Sequence, residues 1–368
     1  MPAYGYGNTR TGVYRYGAKI GNAYRYGAHV YQSRVPEWGQ ATLNNMSTVR
    51  AHAAAAAIPG ANVVLVAGGK DTPYLNSPYN PTATVDLYNE AGVRTLANNL
   101  RYAKFILAGA GIGSKAIFAG GYRASATDGY ADMYNSSGVR TTLTALGIAG
   151  PHVACAVAGS YIIFAGSLNT VNGTSGYANA VAYNEAGTKT TITSLSYTRG
   201  DISTAQSGGF AFMCWGRIGS IRYNRFDIYN SSLVRTYYGT ATSVTVKPVG
   251  TSCGDGALFL AGSIAAHITT AGVQSTVTAS NVIEGFAAGT LSGLSVFTGK
   301  YPGQGVSQLE VYNSSKVKIT PAFTLSTNRL WSSFATLNNT LYLFGGSTTL
   351  DGNDYPLVSN TAETIFYK

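Results

Sequence analysis

The feature that most constrains this chain is a repeat. A short apolar run that ends in glycine occurs seven times, as in VLVAGG (64–69), AIFAGG (116–121) and LYLFGG (341–346). The first glycines fall at positions 68, 120, 166, 216, 262, 299 and 345. A period in the forties is typical of four-stranded propeller blades, whereas a β-helix has a shorter period and a sandwich has none. The repeat therefore predicts an all-β, seven-bladed β-propeller.

A second motif follows most of these runs. It reads VDLYNEAGVRT (85–95), ADMYNSSGVRT (131–141) and FDIYNSSLVRT (226–236). The Tyr-Asn step ends a strand, the small residues form a tight turn, and Val-Arg-Thr begins the next strand. A further apolar strand, such as HAAAAAI (52–58), precedes each glycine run. Each repeat therefore contains four short strands.

The two ends of the repeat region complement each other. The last repeat ends at TAETIFYK, without the strand that follows Tyr-Asn elsewhere, and WGQATL (38–43) resembles VRTTLTAL (139–146). We expect the strand 38–43 to complete the last blade, since closure of the ring removes an open sheet edge. This divides the chain into a tail, 1–36, and a propeller, 37–368.

The repeats resemble kelch-type β-propellers over roughly residues 37–368. The kelch tryptophan after the turn is absent, and Tyr-Asn replaces it. The combination LxxxR…FAGG…DxYNxxxVRT is similar to the kelch-like repeat proteins encoded by phages and prophages of gut Firmicutes, which also tend to begin with Tyr/Gly/basic repeats. The resemblance implies a virion structural protein of the head or of a tail fibre, assembled in the host cytoplasm.

The tail has its own ten-residue period, YGYG (4–7), YRYG (14–17) and YRYG (24–27), with five basic residues and no acidic residue before Glu37. Alternation predicts strands in 13–20 and 23–31, joined by a hairpin turn at Gly21-Asn22. We predict that this segment anchors the chain to other virion proteins. The anchor residues are Tyr14, Arg15, Tyr16, Tyr24, Arg25 and Tyr26. Two alternatives stay open: a hairpin packed on its own propeller, and binding of single-stranded nucleic acid.

Composition excludes several classes of protein. Charged residues make up 11% and aromatic residues 12% of the chain, which argues against disorder. A net charge of +10 over 38.4 kDa is too modest for a charge-driven nucleic-acid binder. No apolar stretch reaches the length of a membrane span, and no signal peptide is visible. Three distant cysteines fit neither a disulfide framework nor a zinc site.

Candidate catalytic groups are scattered. His29, His52, His152 and His267 lie in separate segments, and the few acidic residues form no recognisable pair. GYRASATDGYAD and DGND lack the complete spacing of a calcium loop. We therefore predict no enzyme, no catalytic residue, no metal and no cofactor.

Binding suits the loops better. The loops after the glycine runs and those that lead into the innermost strands emerge on one face of a propeller, and rigid scaffolds commonly carry function on loops. The predicted ligand-binding residues are Tyr74, Tyr79, Tyr122, Tyr130 and Tyr355, together with Arg50, Arg101, Arg199, Lys247 and Arg329. The basic residues would ring the channel mouth. The alternative is a repeat-consensus arginine that hydrogen-bonds neighbouring blade carbonyls.

These observations give one leading hypothesis: a phage virion protein that uses its propeller to adhere to a host receptor or surface glycan. A homo-oligomer is compatible with it. The alternatives are a non-viral scaffold for protein–protein contacts and a carbohydrate-active enzyme on a propeller.

Overall fold

The chain is described from a computed structural model, which covers residues 37–72, 80–244, 247–300, 307–319, 332–350 and 356–367, with Leu325, Arg329 and four short tail strands. Its described part is all-β, and the only helical element there is the 3₁₀ turn Pro59–Ala61. No helix in that part is long and apolar enough to cross a membrane. The predicted seven-bladed β-propeller is confirmed.

Five blades are four-stranded antiparallel sheets. From the innermost strand outward, blade 1 contains Ala54–Ile58, Val63–Ala67, Val85–Asn89 and Arg94–Leu96. Blade 2 contains Ala108–Ile112, Lys115–Ala119, Ala131–Asn135 and Arg140–Thr142. Blade 3 contains Ala154–Ala158, Tyr161–Leu168, Gly176–Asn184 and Lys189–Ile192. Blade 4 contains Ser203–Ser207, Phe210–Cys214, Arg225–Tyr229 and Arg235–Thr240, and its loop adds the pair Arg217–Ile218 and Ile221–Arg222. Blade 7 contains Ser333–Leu337, Thr340–Phe344, Ala362–Tyr367 and Trp38–Thr42, with the loop pair Ser347–Leu350 and Pro356–Val358.

Blades 5 and 6 form one six-stranded sheet. Its strands are Val249–Cys253, Gly256–Thr269, Gln274–Leu291, Leu294–Lys300, Ser307–Tyr312 and Lys318–Ile319. The third of these pairs at its start with the strand before it and at its end with the strand after it. One strand therefore leaves the edge of blade 5 and enters the innermost position of blade 6.

The last blade takes its outermost strand from the N-terminal side of the chain. Trp38 lies opposite Tyr367, and Thr42 lies opposite Glu363. The amide of Gly346 in blade 7 also donates to the carbonyl of Arg50 before blade 1, at 3.1 Å. The ring therefore closes through the strand that the sequence places there.

We call the face with the longer loops the upper face and the face with the tight turns the lower face. The lower turns follow from the Tyr-Asn motif. In blade 1 the Asn89 side-chain oxygen accepts the amide of Val93 at 2.9 Å, and Asn135, Asn184, Asn230 and Asn313 make the equivalent bond. The Tyr of the motif is buried in each of these blades. The motif thus combines a core side chain with a side chain that closes the turn.

The signature glycine is required by its close approach to the next blade. Gly68 has a φ of 65°, and a Cβ there would lie 2.5 Å from the carbonyl oxygen of Lys104. The amide of Gly69 donates to that same carbonyl at 2.9 Å. Only glycine combines a left-handed backbone with this contact at no steric cost. The repeat glycine therefore joins neighbouring blades.

Three of the four arginines predicted to ring the mouth are instead part of the interior. Arg50, Arg199 and Arg329 are at most 3% exposed and form ion pairs with Asp86, Asp227 and Glu363 of the same blades. Each also donates to backbone carbonyls of its own blade. The prediction that these three contact a ligand is wrong, because a buried charge must be neutralised where it lies. The alternative role, in which the arginine bonds backbone carbonyls, fits these three residues, and the carbonyls are those of their own blades.

The tail contains two short hairpins. Val13–Arg15 pairs with Ala18–Ile20, and Tyr24–Arg25 pairs with Ala28–His29. The predicted single hairpin with Gly21-Asn22 at its turn is therefore wrong. Of the predicted anchor residues, Tyr14, Arg15, Tyr24 and Arg25 lie on these strands, while Tyr16 and Tyr26 lie outside the described residues.

Candidate functional site

A cluster of aromatic and basic side chains lies on the upper face of blade 2. We call it the upper patch; it consists of Arg101, Tyr102, Tyr122, Arg123 and Tyr130. The residues come from two loops, which are tied together where the backbones of Phe105 and Tyr122 exchange hydrogen bonds of 3.0 and 2.9 Å. Three predicted ligand-binding residues, Arg101, Tyr122 and Tyr130, are thereby brought together.

Cations and rings stack within the upper patch. The Arg101 guanidinium lies 4.3 Å from the centre of the Tyr130 ring, and that of Arg123 lies 3.7 Å from the centre of Tyr102. The two rings are 5.4 Å apart. Such contacts are worth about 0.5–1 kcal/mol each at exposed sites. They hold four half-exposed or exposed side chains in one arrangement.

Asp128, buried beneath the patch, fixes its geometry. One carboxylate oxygen accepts Arg123 Nε at 2.7 Å, and the other accepts the amide of Tyr130 at 2.6 Å. Lys104 lies 3.6 Å from the same carboxylate. Arg101 is exposed and makes no ion pair with any described residue. Its guanidinium is held by the Tyr130 ring and by a side-chain hydrogen bond with Tyr102. Its other N–H groups are left for an acceptor from outside.

Lys247 belongs to a second cluster, between blades 3, 4 and 5. Its ammonium lies 2.7 Å from Asp201, which also pairs with Arg217 at 2.9 Å and lies 3.4 Å from His152 Nδ1. Burial raises the pKa of Asp201, but the charge of Lys247 and the contact with His152 outweigh burial and hold the pKa well below its usual value. Lys247 therefore neutralises a carboxylate instead of standing free at the mouth.

Asp201 and His152 occupy a position that recurs in the blades. His52, Ile106, His152 and Asp201 each lie two residues before an innermost strand, and all have a left-handed backbone. The amide of Ile106 donates to the carbonyl of His52, that of His152 to Ile106, and that of Asp201 to His152. These hydrogen bonds join successive blades around the channel mouth.

The central channel holds a cavity of about 530 Å³ to which all seven innermost strands contribute. Its described lining consists mostly of alanine, glycine, serine and threonine, with no carboxylate, imidazole or amine among them. Cys155 also lines it, and burial raises the pKa of this thiol to about 12. The lining offers hydroxyl and amide groups and no acid–base pair.

The remaining predicted site residues, Tyr74, Tyr79 and Tyr355, lie outside the described residues. Sequence reasoning missed Tyr102 and Arg123, although each is adjacent in sequence to a residue that it selected. It also missed Asp128, which looked like part of an incomplete calcium loop. The available signal was the alternation of tyrosine and arginine in two loops that emerge on the same face.

The tail joins the propeller on the opposite side from the upper patch. Trp38 pairs with Tyr367, at the lower end of a strand that runs from the upper to the lower face. The N-terminal segment is therefore attached at the lower face of blade 7.

This fold defines the chain as a seven-bladed β-propeller. No protein-family model matches the sequence, and no curated protein matches it. Among solved structures, it is similar to the one titled "Structure of YjhT", a β-propeller protein. The TM-score is 0.55 at 10% sequence identity, and the match covers 89% of this chain and 99% of that one. At this identity the likeness supports the fold alone.

Proposed function

We propose that the chain is a phage virion protein that displays a kelch-like propeller for adhesion to a host or surface glycan. Its residues 1–36 anchor it to the particle. The virion role rests on the resemblance of the repeats and of the Tyr/Gly/basic tail to the kelch-like proteins of phages and prophages. The adhesive role rests on the upper patch.

The observation that carries the proposal is the separation of the two functional ends. The tail is attached at the lower face of blade 7, whereas the upper patch lies on the loop face of blade 2. A chain held by its tail therefore presents its loops away from the support. This arrangement is what a displayed adhesin requires.

The chemistry of the upper patch suits a polar ligand whose rings have an apolar face. The Tyr102 and Tyr130 rings supply rigid aromatic area at low entropic cost, as tyrosine does in antibody binding sites. Arg101 adds a planar fork of donors that matches a carboxylate or sulfate group. The patch therefore favours a glycan, with preference for one that carries an acidic group.

A scaffold that binds a protein partner is compatible with the same patch. The experiment below separates it from a glycan adhesin.

The test is binding of the full-length chain to a glycan array and to host cells. Replacing Arg101 by alanine removes a guanidinium that can donate charge-assisted hydrogen bonds to the glycan. The substitution should weaken binding about tenfold. Tyr130→Ala should weaken it similarly. Arg225→Ala is the matched control, since Arg225 also lies over a tyrosine, Tyr197 in blade 4, at 6.0 Å. Absence of any bound glycan, or equal loss in all three variants, would contradict this function. Cell binding that survives removal of surface glycans would favour a protein receptor.

A further inference from the structure

The lower face contains a second pocket, where the central channel opens. We call it the lower-mouth pocket and define it by Pro59, Tyr161, Asn184, Glu185 and Gln206. Its volume is about 620 Å³. It is formed by the lower turns of blades 1, 2 and 3 and the innermost strand of blade 4, and it shares Pro59, Gly111, Val157 and Gln206 with the channel. It has no residue in common with the upper patch.

Glu185 is exposed at one side of this pocket and is positioned there by Ser114. Its Oε1 accepts both the amide of Ser114 at 2.7 Å and the hydroxyl of Ser114 at 2.6 Å. These two bonds lower the pKa of Glu185 below its usual value. A Cβ on Gly113 would lie 2.3 Å from Oε2, so glycine leaves room for this carboxylate. The pocket therefore presents an ionised acceptor in a fixed position.

Two amides supply the complementary donors. The side-chain carbonyl of Gln206 accepts the amide of Val157 at 3.3 Å, and that of Asn184 accepts the amide of Thr188 at 2.9 Å. Each carbonyl already accepts one bond, and the NH₂ group of each side chain adds two donors that a ligand can use. The pocket thus combines an acceptor with two donor groups.

The remaining lining is mostly small or apolar, and it also includes Ser160. Pro59, Ile112, Val157 and Tyr161 add apolar surface beside the polar groups. An anion is disfavoured by the Glu185 carboxylate. A cation is disfavoured by the two NH₂ groups, and the charge of Lys115 already acts on Glu185. Neutral hydroxyl groups, which both donate and accept, satisfy this set.

We propose that the lower-mouth pocket binds one neutral sugar ring, with the ring face against Tyr161 and adjacent hydroxyls between Glu185 and the amides. This site is separate from the adhesive site proposed above and does not depend on it. A free monosaccharide and the end unit of a neutral polysaccharide share this chemistry.

The test uses the full-length chain and a panel of neutral sugars, glucose, galactose and N-acetylglucosamine, offered free and as neutral polysaccharides. Saturation-transfer NMR detects contact, and calorimetry gives affinity. We expect millimolar dissociation constants, about tenfold weaker in Glu185→Gln and in Tyr161→Ala. Glu90→Gln is the matched control, because Glu90 follows the Tyr-Asn step of blade 1 as Glu185 follows that of blade 3. It should bind like the unaltered chain.

Thermal unfolding of each variant shows whether the fold is retained. Binding of only the free sugars or only the polymers supports the site and identifies its source of ligand. The proposal is overturned if no sugar of the panel binds. It is also overturned if binding persists in folded Glu185→Gln and Tyr161→Ala, or is lost in Arg101→Ala instead.

Discussion

Replacing Arg199 by valine removes the guanidinium that neutralises Asp227 in the interior of blade 4. Both side chains are fully buried and lie 2.8 Å apart. Arg199 also donates from Nε to the carbonyl of Trp215 at 2.6 Å and from a terminal nitrogen to that of Met213 at 3.0 Å. Arg199 also donates to the carbonyl of Tyr197 at 3.0 Å, which is only partly buried and can bond water instead. The substitution therefore leaves two interior carbonyls and one carboxylate short of a donor.

The magnitude follows from these contacts. Each carbonyl loses a bond worth about 1 kcal/mol, and the carboxylate loses a charged partner worth about 2 kcal/mol. The sum, about 4 kcal/mol, agrees with the roughly 3–5 kcal/mol that breaking one side of a buried ion pair costs. Arg235, at 3.4 Å from Asp227, remains as the second cation.

Two other blades indicate which second substitution should restore part of the lost stability. At the position of Arg199, blade 5 has Val244 and blade 3 has Gly150. At the position of Asp227, they have Ala266 and Val181. Each of these two blades therefore lacks both members of the ion pair. We therefore expect Arg199→Val combined with Asp227→Ala to cost about 2 kcal/mol less than the sum of the single substitutions.

Urea unfolding at neutral pH, followed by tryptophan fluorescence, measures the three variants against the unaltered chain. Arg222→Val is the control, since Arg222 is exposed. A loss below about 1 kcal/mol for Arg199→Val would refute the reasoning. Strict additivity of the single substitutions would refute it as well.

Two further predictions concern a turn and a carboxylate. Lys316 has a φ of 66° at a turn position where blades 1, 2, 3 and 5 have glycine. Lys316→Gly should therefore raise the free energy of unfolding, measured by urea titration, by about 1 kcal/mol. A decrease in this free energy would contradict the prediction. The lowered pKa of Asp201 means that its carboxylate stabilises the folded chain. This stabilisation is complete above the pKa of Asp201 in the unfolded chain, near 3.8, and is lost as the pH falls through its pKa in the folded chain. The difference in unfolding temperature between the unaltered chain and Asp201→Asn should therefore shrink on acidification, and a difference that grows would be contrary evidence.

The repeat made the fold predictable because each motif has a local physical role. The signature glycine marks a left-handed residue at a blade junction, and the Tyr-Asn step marks a core ring beside a side-chain-capped turn. The strand 38–43 could be placed because the last repeat lacked one. These predictions depend only on contacts within or between adjacent repeats and on the number of strands in each repeat.

The site was less predictable because it depends on which charges find partners inside the fold. Arg50 and Arg101 look alike in the sequence, but Arg50 pairs with buried Asp86 and Arg101 is exposed. The sequence contains one signal of this pairing. The repeats of blades 3 and 5 lack an acidic residue at the position of Asp227, and they also lack an arginine at the position of Arg199. The contact of Tyr102 with Arg123 joins two loops and could not be derived from either loop alone.

The central claim is that the lower face points towards a particle and the upper face away from it. Electron cryomicroscopy of the phage particles that we propose carry the chain tests it most directly. We expect seven-bladed discs on the particle surface, joined to it by density that leaves the lower face at Trp38, with the upper patch facing outward. Particles without such discs, or discs whose upper face is buried against the particle, would contradict the account.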